Sequence, residues 1–273
     1  MKIGFSTLAC PAWSFAKIVG TAHTLGYNGL ELRVLNGSID ILNQPELTPR
    51  ARANTLALLH RHELSISGLG SSVRFIHADP AKFEANIADG KAFIDRAQIF
   101  GAPFIRVYGD PLLPDVPHAR AMDMVVDGMR QLGAYANGKG VTVLIESHGD
   151  FAQSHLLVEV MQRVSMPSVG VLYDTHHPWR FYGETPQHTV AEIGPWIRYS
   201  HWKDSKLHAA GGTAFDYVLF GEGEFPVADA LNALKTINYD GWYTFEWEKQ
   251  WHPEIADPEV ALPHFMQAFK AFR

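Results

Sequence analysis

The segment Ile3-Gly4-Phe5-Ser6-Thr7-Leu8-Ala9 decides between two candidate folds for this chain. Ile3 to Ser6 is the first of several short apolar runs that read as β-strands. An open, doubly wound sheet that binds a dinucleotide would carry Gly-x-Gly-x-x-Gly directly after this strand. Ser6-Thr7-Leu8-Ala9 follows instead, and this favours a closed barrel over the doubly wound sheet.

Seven further runs of β-branched, aromatic and aliphatic residues follow along the chain, each separated from the next by a longer segment. This alternation is typical of βα units around a parallel sheet. Eight units in 273 residues predict a single (β/α)₈ TIM-barrel domain spanning residues 1–273. The eight predicted strands are Ile3 to Ser6, Gly29 to Val34, Leu64 to Leu69, Phe104 to Tyr108, Val141 to Ser147, Val169 to Thr175, Ile197 to Lys203 and Trp242 to Trp247.

Segments between these strands carry apolar residues at three- and four-residue spacing, as amphipathic helices do. Gly26, Gly101 and Gly140 follow expected helix ends and are predicted to be C-terminal caps. The clearest predicted helices are Thr48 to His62, Pro80 to Phe100 and Arg120 to Asn137.

The charge balance restricts the possible partners. Lys and Arg number 23 and Asp and Glu 29, so the formal net charge is −6, which disfavours a nucleic-acid partner. No apolar run is long enough to span a membrane. The start of the chain lacks signal-peptide features, and the single cysteine, Cys10, cannot form an internal disulfide. We therefore expect a cytoplasmic protein without a membrane partner.

Four consecutive predicted strands, the fifth to the eighth, end in polar, metal-ligating residues. These are Glu146, Asp174, His201 and Glu246, and barrels keep their chemistry at the carboxyl ends of the strands. Burying several such groups together is costly unless a cation neutralises them. The pattern predicts one divalent metal ion bound by three carboxylates and one imidazole. This donor set favours Mn²⁺, with Mg²⁺, Co²⁺ or Zn²⁺ as alternatives.

Several short motifs occur in the same order as these strand ends. With Glu146 and Glu246 they are Asp174-Thr175-His176-His177, His201-Trp202-Lys203-Asp204-Ser205 and Gly221-Glu222-Gly223-Glu224-Phe225. Together they make the chain resemble the xylose-isomerase-like sugar isomerase/epimerase superfamily. That superfamily also contains inosose and dehydroshikimate dehydratases and abasic-site endonucleases.

The resemblance implies roles for individual residues. It implies that the four strand-end residues are the metal ligands and that Glu146 and Glu246 are the catalytic acid/base pair. It also implies that His177 contacts the substrate and that Lys203 is a cation on the substrate side.

Alternation along two other strands adds candidates inside the barrel. On the second strand, Glu31 and Arg33 should point inward, either as an internal ion pair or as sugar ligands. Arg106 on the fourth strand should also point inward, toward a ligand. Trp13 after the first strand is a candidate for stacking on a sugar, and His148 and Glu222 lie beside proposed ligands in the sequence.

The predicted chemistry is proton abstraction next to a carbonyl, through an enediolate stabilised by the metal. Isomerase or epimerase activity on a sugar or other small polyhydroxy ketone is the preferred interpretation. A dehydratase of the inosose or 3-dehydroshikimate type is the alternative, because it shares the same intermediate.

Two other functions and the oligomeric state stay open at this point. The nuclease branch needs extra histidines at the third and fourth strand ends. These ends read Gly68-Leu69-Gly70-Ser71 and Tyr108-Gly109-Asp110, so the histidines are missing and a nuclease is disfavoured. The epimerase branch often has an arginine where this chain reads Leu207-His208-Ala209-Ala210, which counts against a simple ketohexose 3-epimerase. A non-catalytic sugar-binding barrel is the remaining alternative, and a homo-oligomer is compatible with all of these interpretations.

Overall fold

A computed structural model describes residues 1–209 and 211–272 of the chain. Eight parallel strands close into a barrel in the order β1-β10-β7-β6-β5-β4-β3-β2, which confirms the predicted fold. The barrel strands are β1 (Lys2–Ser6), β2 (Gly29–Leu32), β3 (Ser65–Arg74), β4 (Phe104–Tyr108), β5 (Thr142–Glu146), β6 (Val169–Asp174), β7 (Ile197–Trp202) and β10 (Trp242–Phe245).

Helices surround the barrel and follow the strands in sequence. They are α1 (Phe15–Leu25), α2 (Arg52–Arg61), α3 (Pro80–Phe100), α4 (His118–Ala136), α5 (Ser154–Val164), α6 (His176–Tyr182), α7 (Pro186–Ile193), α8 (Val227–Thr236) and α9 (Pro258–Ala271). None of the helices in the described ranges is both long and apolar enough to cross a membrane.

Two hydrophobic clusters stabilise the barrel on the two faces of its sheet. Leu30 and Leu32 belong to the large outer cluster between strands and helices, as the alternation on the second strand predicts. Leu144, Leu172, Tyr199 and Trp242 form a small inner cluster within the barrel. Because inward-pointing residues fill the interior in this way, polar groups are left to gather where the strands end.

The strand and helix boundaries differ from prediction at a few places. β3 continues to Arg74, five residues beyond its predicted end, with a shifted register against β4 between Gly70 and Arg74. An antiparallel hairpin of β8 (Asp204–Leu207) and β9 (Phe215–Val218) was not predicted. Its strands are four residues long and only partly buried, so their hydrophobic pattern is weak.

Two of the three predicted glycine caps are confirmed. Gly26 and Gly101 end α1 and α3 with φ angles of 79° and 71°, in the left-handed region where glycine is favoured. The prediction for Gly140 is wrong, because α4 already ends at Ala136 with Asn137 as its cap. Gly140 lies in the turn that leads into β5.

Candidate metal and substrate site

The four strand-end residues predicted as ligands come together at the carboxyl end of the barrel. Glu146 and Asp174 are the last residues of β5 and β6, His201 lies near the end of β7, and Glu246 follows β10 directly. One donor atom from each lies within 4.8 Å of those of the other three. All four side chains are buried, so the cluster is a preformed set of three carboxylates and one imidazole that could hold a metal.

His201 is held in place by the carboxylate of Glu31, which lies on the side of the ring opposite Glu146 and Glu246. Its Nε2 lies 2.6 Å from Oε2 of Glu31, while its Nδ1 lies 3.2 Å from both Glu146 and Glu246. Burial lowers the pKa of the imidazole, but Glu246 and Glu31 outweigh burial and raise it well above its usual value. A carboxylate that fixes one ring nitrogen orients the other toward a bound ion.

Arg106 is the direct partner of Glu146. Its guanidinium lies 2.5 Å from Glu146 Oε2 and is also hydrogen-bonded to the Tyr108 hydroxyl. Burial alone would raise the pKa of Glu146, but Arg106 and His201 hold it below its usual range. Arg106 and His201 therefore favour the ionised form of Glu146.

Lys203 lies at the centre of three carboxylates. Its Nζ is 2.8 Å from Asp174 Oδ2, 2.6 Å from Glu246 Oε2 and 2.6 Å from Glu248 Oε1. The side chain is fully buried, and the three carboxylates raise the pKa of the ammonium despite that burial. Lys203 is the main cation balancing this side of the cluster.

The start of α6 holds Asp174 from its other side. The backbone N–H groups of His176 and His177 donate to Asp174 Oδ1 at 2.9 and 3.0 Å. Asp174 Oδ2 is near Lys203 but accepts no well-directed hydrogen bond, although it is buried. A buried carboxylate oxygen that accepts no directed hydrogen bond is suited to a metal, because it keeps a lone pair for the ion.

A cavity of about 380 Å³ opens above this cluster. Glu246 of the cluster reaches the cavity, whereas Glu146, Asp174 and His201 do not line it. The other lining residues are Leu8, Arg33, Ile39, Ser72, Arg74, Arg106, Tyr108, His148, His177, Glu248 and Trp251. Its place at the carboxyl ends of the strands makes this cavity the candidate substrate site. Larger cavities open at the opposite end of the barrel, around Lys2 and Trp242, away from the cluster.

The predicted substrate residues divide into two groups. Arg106, His148 and His177 line the cavity. His148 Nδ1 is 3.0 Å from both carboxylate oxygens of Asp110, so Nε2 is its nitrogen available to a ligand. The other ring, His177, is buried, and its Nδ1 has no hydrogen-bond partner among the described residues.

The remaining three candidates lie elsewhere. Lys203 lies below the cavity among carboxylates. Trp13 packs in the outer core with the Lys17 ammonium 4.0 Å from its ring. Glu222 is exposed and turns toward His264 on α9, 3.9 Å away. Trp13 and Glu222 do not line the cavity because packing and loop direction turn them away from it.

The ion pair considered for Glu31 and Arg33 is not formed. Glu31 pairs with His201 instead, and Arg33 donates to Ser72 Oγ at 3.0 Å. Sequence reasoning also missed Arg74, Tyr108 and Asp110, which join in one network: Arg74 donates to Asp110 and stacks over the Tyr108 ring at 4.7 Å. The inward alternation of β4 could have identified Tyr108, two residues after Arg106.

Asp204 organises the glycine loop that follows β9. Its carboxylate accepts four backbone hydrogen bonds, from Ser205, Gly221, Gly223 and Phe225, at 2.8 to 3.1 Å. A Cβ on Gly223 would lie only 2.1 Å from Asp204 Oδ1, so this position requires glycine. The Gly221 to Phe225 segment therefore contacts Asp204 through its backbone N–H groups. The Glu222 side chain takes no part in these contacts and is exposed to solvent.

Replacing Asp204 by asparagine is expected to lower the free energy of unfolding by about 2–4 kcal/mol, because an amide nitrogen would face buried N–H donors. Urea unfolding measures this loss. Asp216→Asn is the matched control, since Asp216 is exposed on β9, and it should change stability by no more than about 0.5 kcal/mol. Equal stability of the two variants would contradict the role of Asp204.

Comparison with known proteins gives one family match and two curated relatives. The family described as "Xylose isomerase-like TIM barrel" matches residues 19–269. Inosose dehydratase from Geobacillus thermodenitrificans is 29% identical over 155 residues, covering 51% of each protein. Inosose dehydratase from Bacillus cereus is 29% identical over 157 residues, with the same coverage. The chain thus spans about half the length of the curated relatives it matches.

Solved structures share the fold over almost the whole chain. The probable 3-DHS dehydratase AsbF from Bacillus anthracis has a TM-score of 0.77 at 20% identity, covering 99% of each chain. D-Psicose 3-epimerase from Clostridium cellulolyticum H10 has a TM-score of 0.80 at 16% identity, covering 100% of this chain and 98% of that one. The IOLI protein with a bound zinc atom has a TM-score of 0.81 at 17% identity, with the same coverage. At these identities the likeness establishes the fold alone.

Proposed function

The chain belongs to the xylose isomerase-like TIM-barrel family, and on that premise we propose that it is a divalent-metal-dependent dehydratase of a small polyhydroxy ketone. One observation carries the proposal. Four metal-ligating side chains converge directly below a cavity, and of the two glutamates in that cluster only Glu246 lines it.

The residues present fit a divalent ion. Glu146, Asp174, His201 and Glu246 supply three carboxylates and one imidazole. Asp174 Oδ2 is buried without a directed hydrogen bond, and Glu31 orients the imidazole. Oxygen-rich sets of this kind suit Mn²⁺, Mg²⁺ or Co²⁺, and the zinc bound by the IOLI protein keeps Zn²⁺ a candidate. When bound, the ion stabilises the negative charge that develops on a carbonyl oxygen as the neighbouring carbon loses a proton.

The protein's own residues then perform the proton transfers. Glu246 takes the proton from the carbon next to the carbonyl, since it is the carboxylate of the cluster that faces the cavity. The electron pair of that C–H bond forms the new C=C bond, and the C–O bond of the β-hydroxyl breaks. Return of the proton from Glu246 to the departing hydroxyl gives water and restores the carboxylate. His148 and His177 line the same cavity and are placed to hydrogen-bond the substrate hydroxyls.

An isomerase or epimerase is the second candidate. Epimerisation needs a second acid on the opposite face of the same carbon. Glu146 is the residue for that role by resemblance, but it is buried against Arg106 and does not line the cavity. The names of the two curated relatives also favour the dehydratase, although the sequence alone favoured the isomerase or epimerase.

Incubation of the Mn²⁺-loaded protein in D₂O tests this proposal. We expect mass spectrometry to detect loss of one water from an inosose or from 3-dehydroshikimate, and no change in a ketohexose. Chelation of the metal should stop the reaction. Deuterium gained at a carbon next to the carbonyl without loss of water would overturn the dehydratase in favour of the epimerase.

A further inference from the structure

Arg33 is a buried cation that forms no ion pair with any residue the structure describes. Only 5% of the residue is exposed, yet its side chain lines the cavity above the four-donor cluster. Its Nη2 donates to Ser72 Oγ at 3.0 Å, whereas its Nη1 is buried and has no hydrogen-bond partner in the part of the chain that the structure describes. Within residues 1–209 and 211–272, no carboxylate forms an ion pair with it.

The other charged residues that line the cavity are all paired. Arg74 pairs with Asp110 and Arg106 with Glu146. Glu246 and Glu248 both contact Lys203. Among the lining residues that the structure describes, Arg33 is therefore the charge that still lacks a partner of opposite sign.

The surrounding structure fixes Arg33 in this position. Its backbone N–H donates to the Thr7 hydroxyl at 2.9 Å. A Cβ on Gly70 would lie 2.8 Å from Arg33 Cδ and 3.1 Å from Arg106 Nη2, so the glycine makes room for both side chains. Burial and the neighbouring Arg106 lower the pKa of Arg33, and the more distant carboxylates Glu31 and Glu246 offset only part of that effect. A charge held out of water in this way is costly unless an anion joins it.

We propose that Arg33 is the binding partner of an anionic substituent, a carboxylate or a phosphate, on the substrate. The free Nη1 donor and the charge of Arg33 are the features that recognise it, since charge-assisted bonds from arginine to such oxyanions are strong. The proposal rests on the proposed function in placing the substrate in this cavity. It narrows the substrate class to acids, and a neutral ketose or inosose would leave Arg33 unpaired.

Binding of ligands that lack the ketone of the proposed substrate tests the proposal without turnover. Shikimate and its methyl ester form one pair, and myo-inositol 1-phosphate and myo-inositol form the other. Calorimetry on the Mn²⁺-loaded protein should find the anionic member of at least one pair bound about 20-fold tighter than its neutral partner. A preference within the shikimate pair would identify the substituent as a carboxylate, and a preference within the inositol pair would identify it as a phosphate.

Arg33→Met should abolish that preference, and Arg33→Lys should restore part of it. Arg198→Met is the matched control, because it removes one positive charge from the opposite end of the barrel, where Arg198 lines a different cavity. This variant should keep the full preference.

The proposal is overturned if neither anion is preferred or if neither pair binds. It is also overturned if Arg33→Met leaves the preference unchanged or weakens the binding of both members of a pair equally. Loss of water in D₂O is measured separately, so failure of the proposed function is recognised independently.

Discussion

Glu246→Gln is expected to slow turnover about 10³-fold, within the range that a positioned general base contributes. Glu246 is the carboxylate of the four-donor cluster that faces the cavity, and a neutral amide cannot take a proton from carbon. The amide has nearly the same shape and its oxygen can still accept a hydrogen bond from Lys203 Nζ, 2.6 Å away, so the barrel should fold. Deuterium exchange and water loss in D₂O measure the rate, and circular dichroism measures the fold.

Glu248→Gln is the matched control for this experiment. Glu248 also lies 2.6 Å from Lys203 Nζ and lines the same cavity, but it is not one of the four clustered metal donors. We expect the turnover rate of the Glu248→Gln protein to fall by no more than about tenfold, a much smaller decrease than the loss of a general base causes. If Glu246→Gln retains a rate within tenfold of the unsubstituted protein, Glu246 is not the base.

The position of the four-donor cluster could be predicted from sequence because it depends on the strands alone. Glu146, Asp174, His201 and Glu246 each end a buried run, and a (β/α)₈ barrel brings such ends together. Side-chain alternation likewise predicted that Arg33 and Arg106 point inward, since the period of a strand is two. Both predictions need only the local pattern and the closed topology.

Pairing among these inward groups could not be predicted in the same way. Glu31 bonds to His201, 170 residues further along the chain, and this contact leaves Arg33 without Glu31 as a partner. Glu222 turned out to be exposed because Asp204 uses the backbone of its loop. Such outcomes depend on competition between distant groups for the same atom, about which the spacing of motifs carries no information.

Lys203→Met is expected to destabilise the metal-free protein by about 3–5 kcal/mol, the usual cost of removing one partner from a buried ion pair. Asp174, Glu246 and Glu248 would lose the ammonium that lies within 2.8 Å of each. Urea unfolding in the presence of a chelator measures the change. Lys139→Met is the control, because Lys139 forms a partly exposed pair with Asp95 at 2.7 Å, and such pairs contribute little to stability.

Added metal should distinguish a charge effect from a packing effect in the Lys203→Met protein. A ligand that binds only the folded state stabilises it in proportion to the logarithm of its concentration over its dissociation constant. With the ammonium gone, a bound divalent ion would replace the positive charge that Asp174 and Glu246 have lost, so Mn²⁺ should stabilise this variant more than the unsubstituted protein. If Mn²⁺ stabilises both proteins equally, the lost stability reflects packing, and Lys203 does not balance the charge of the four-donor cluster.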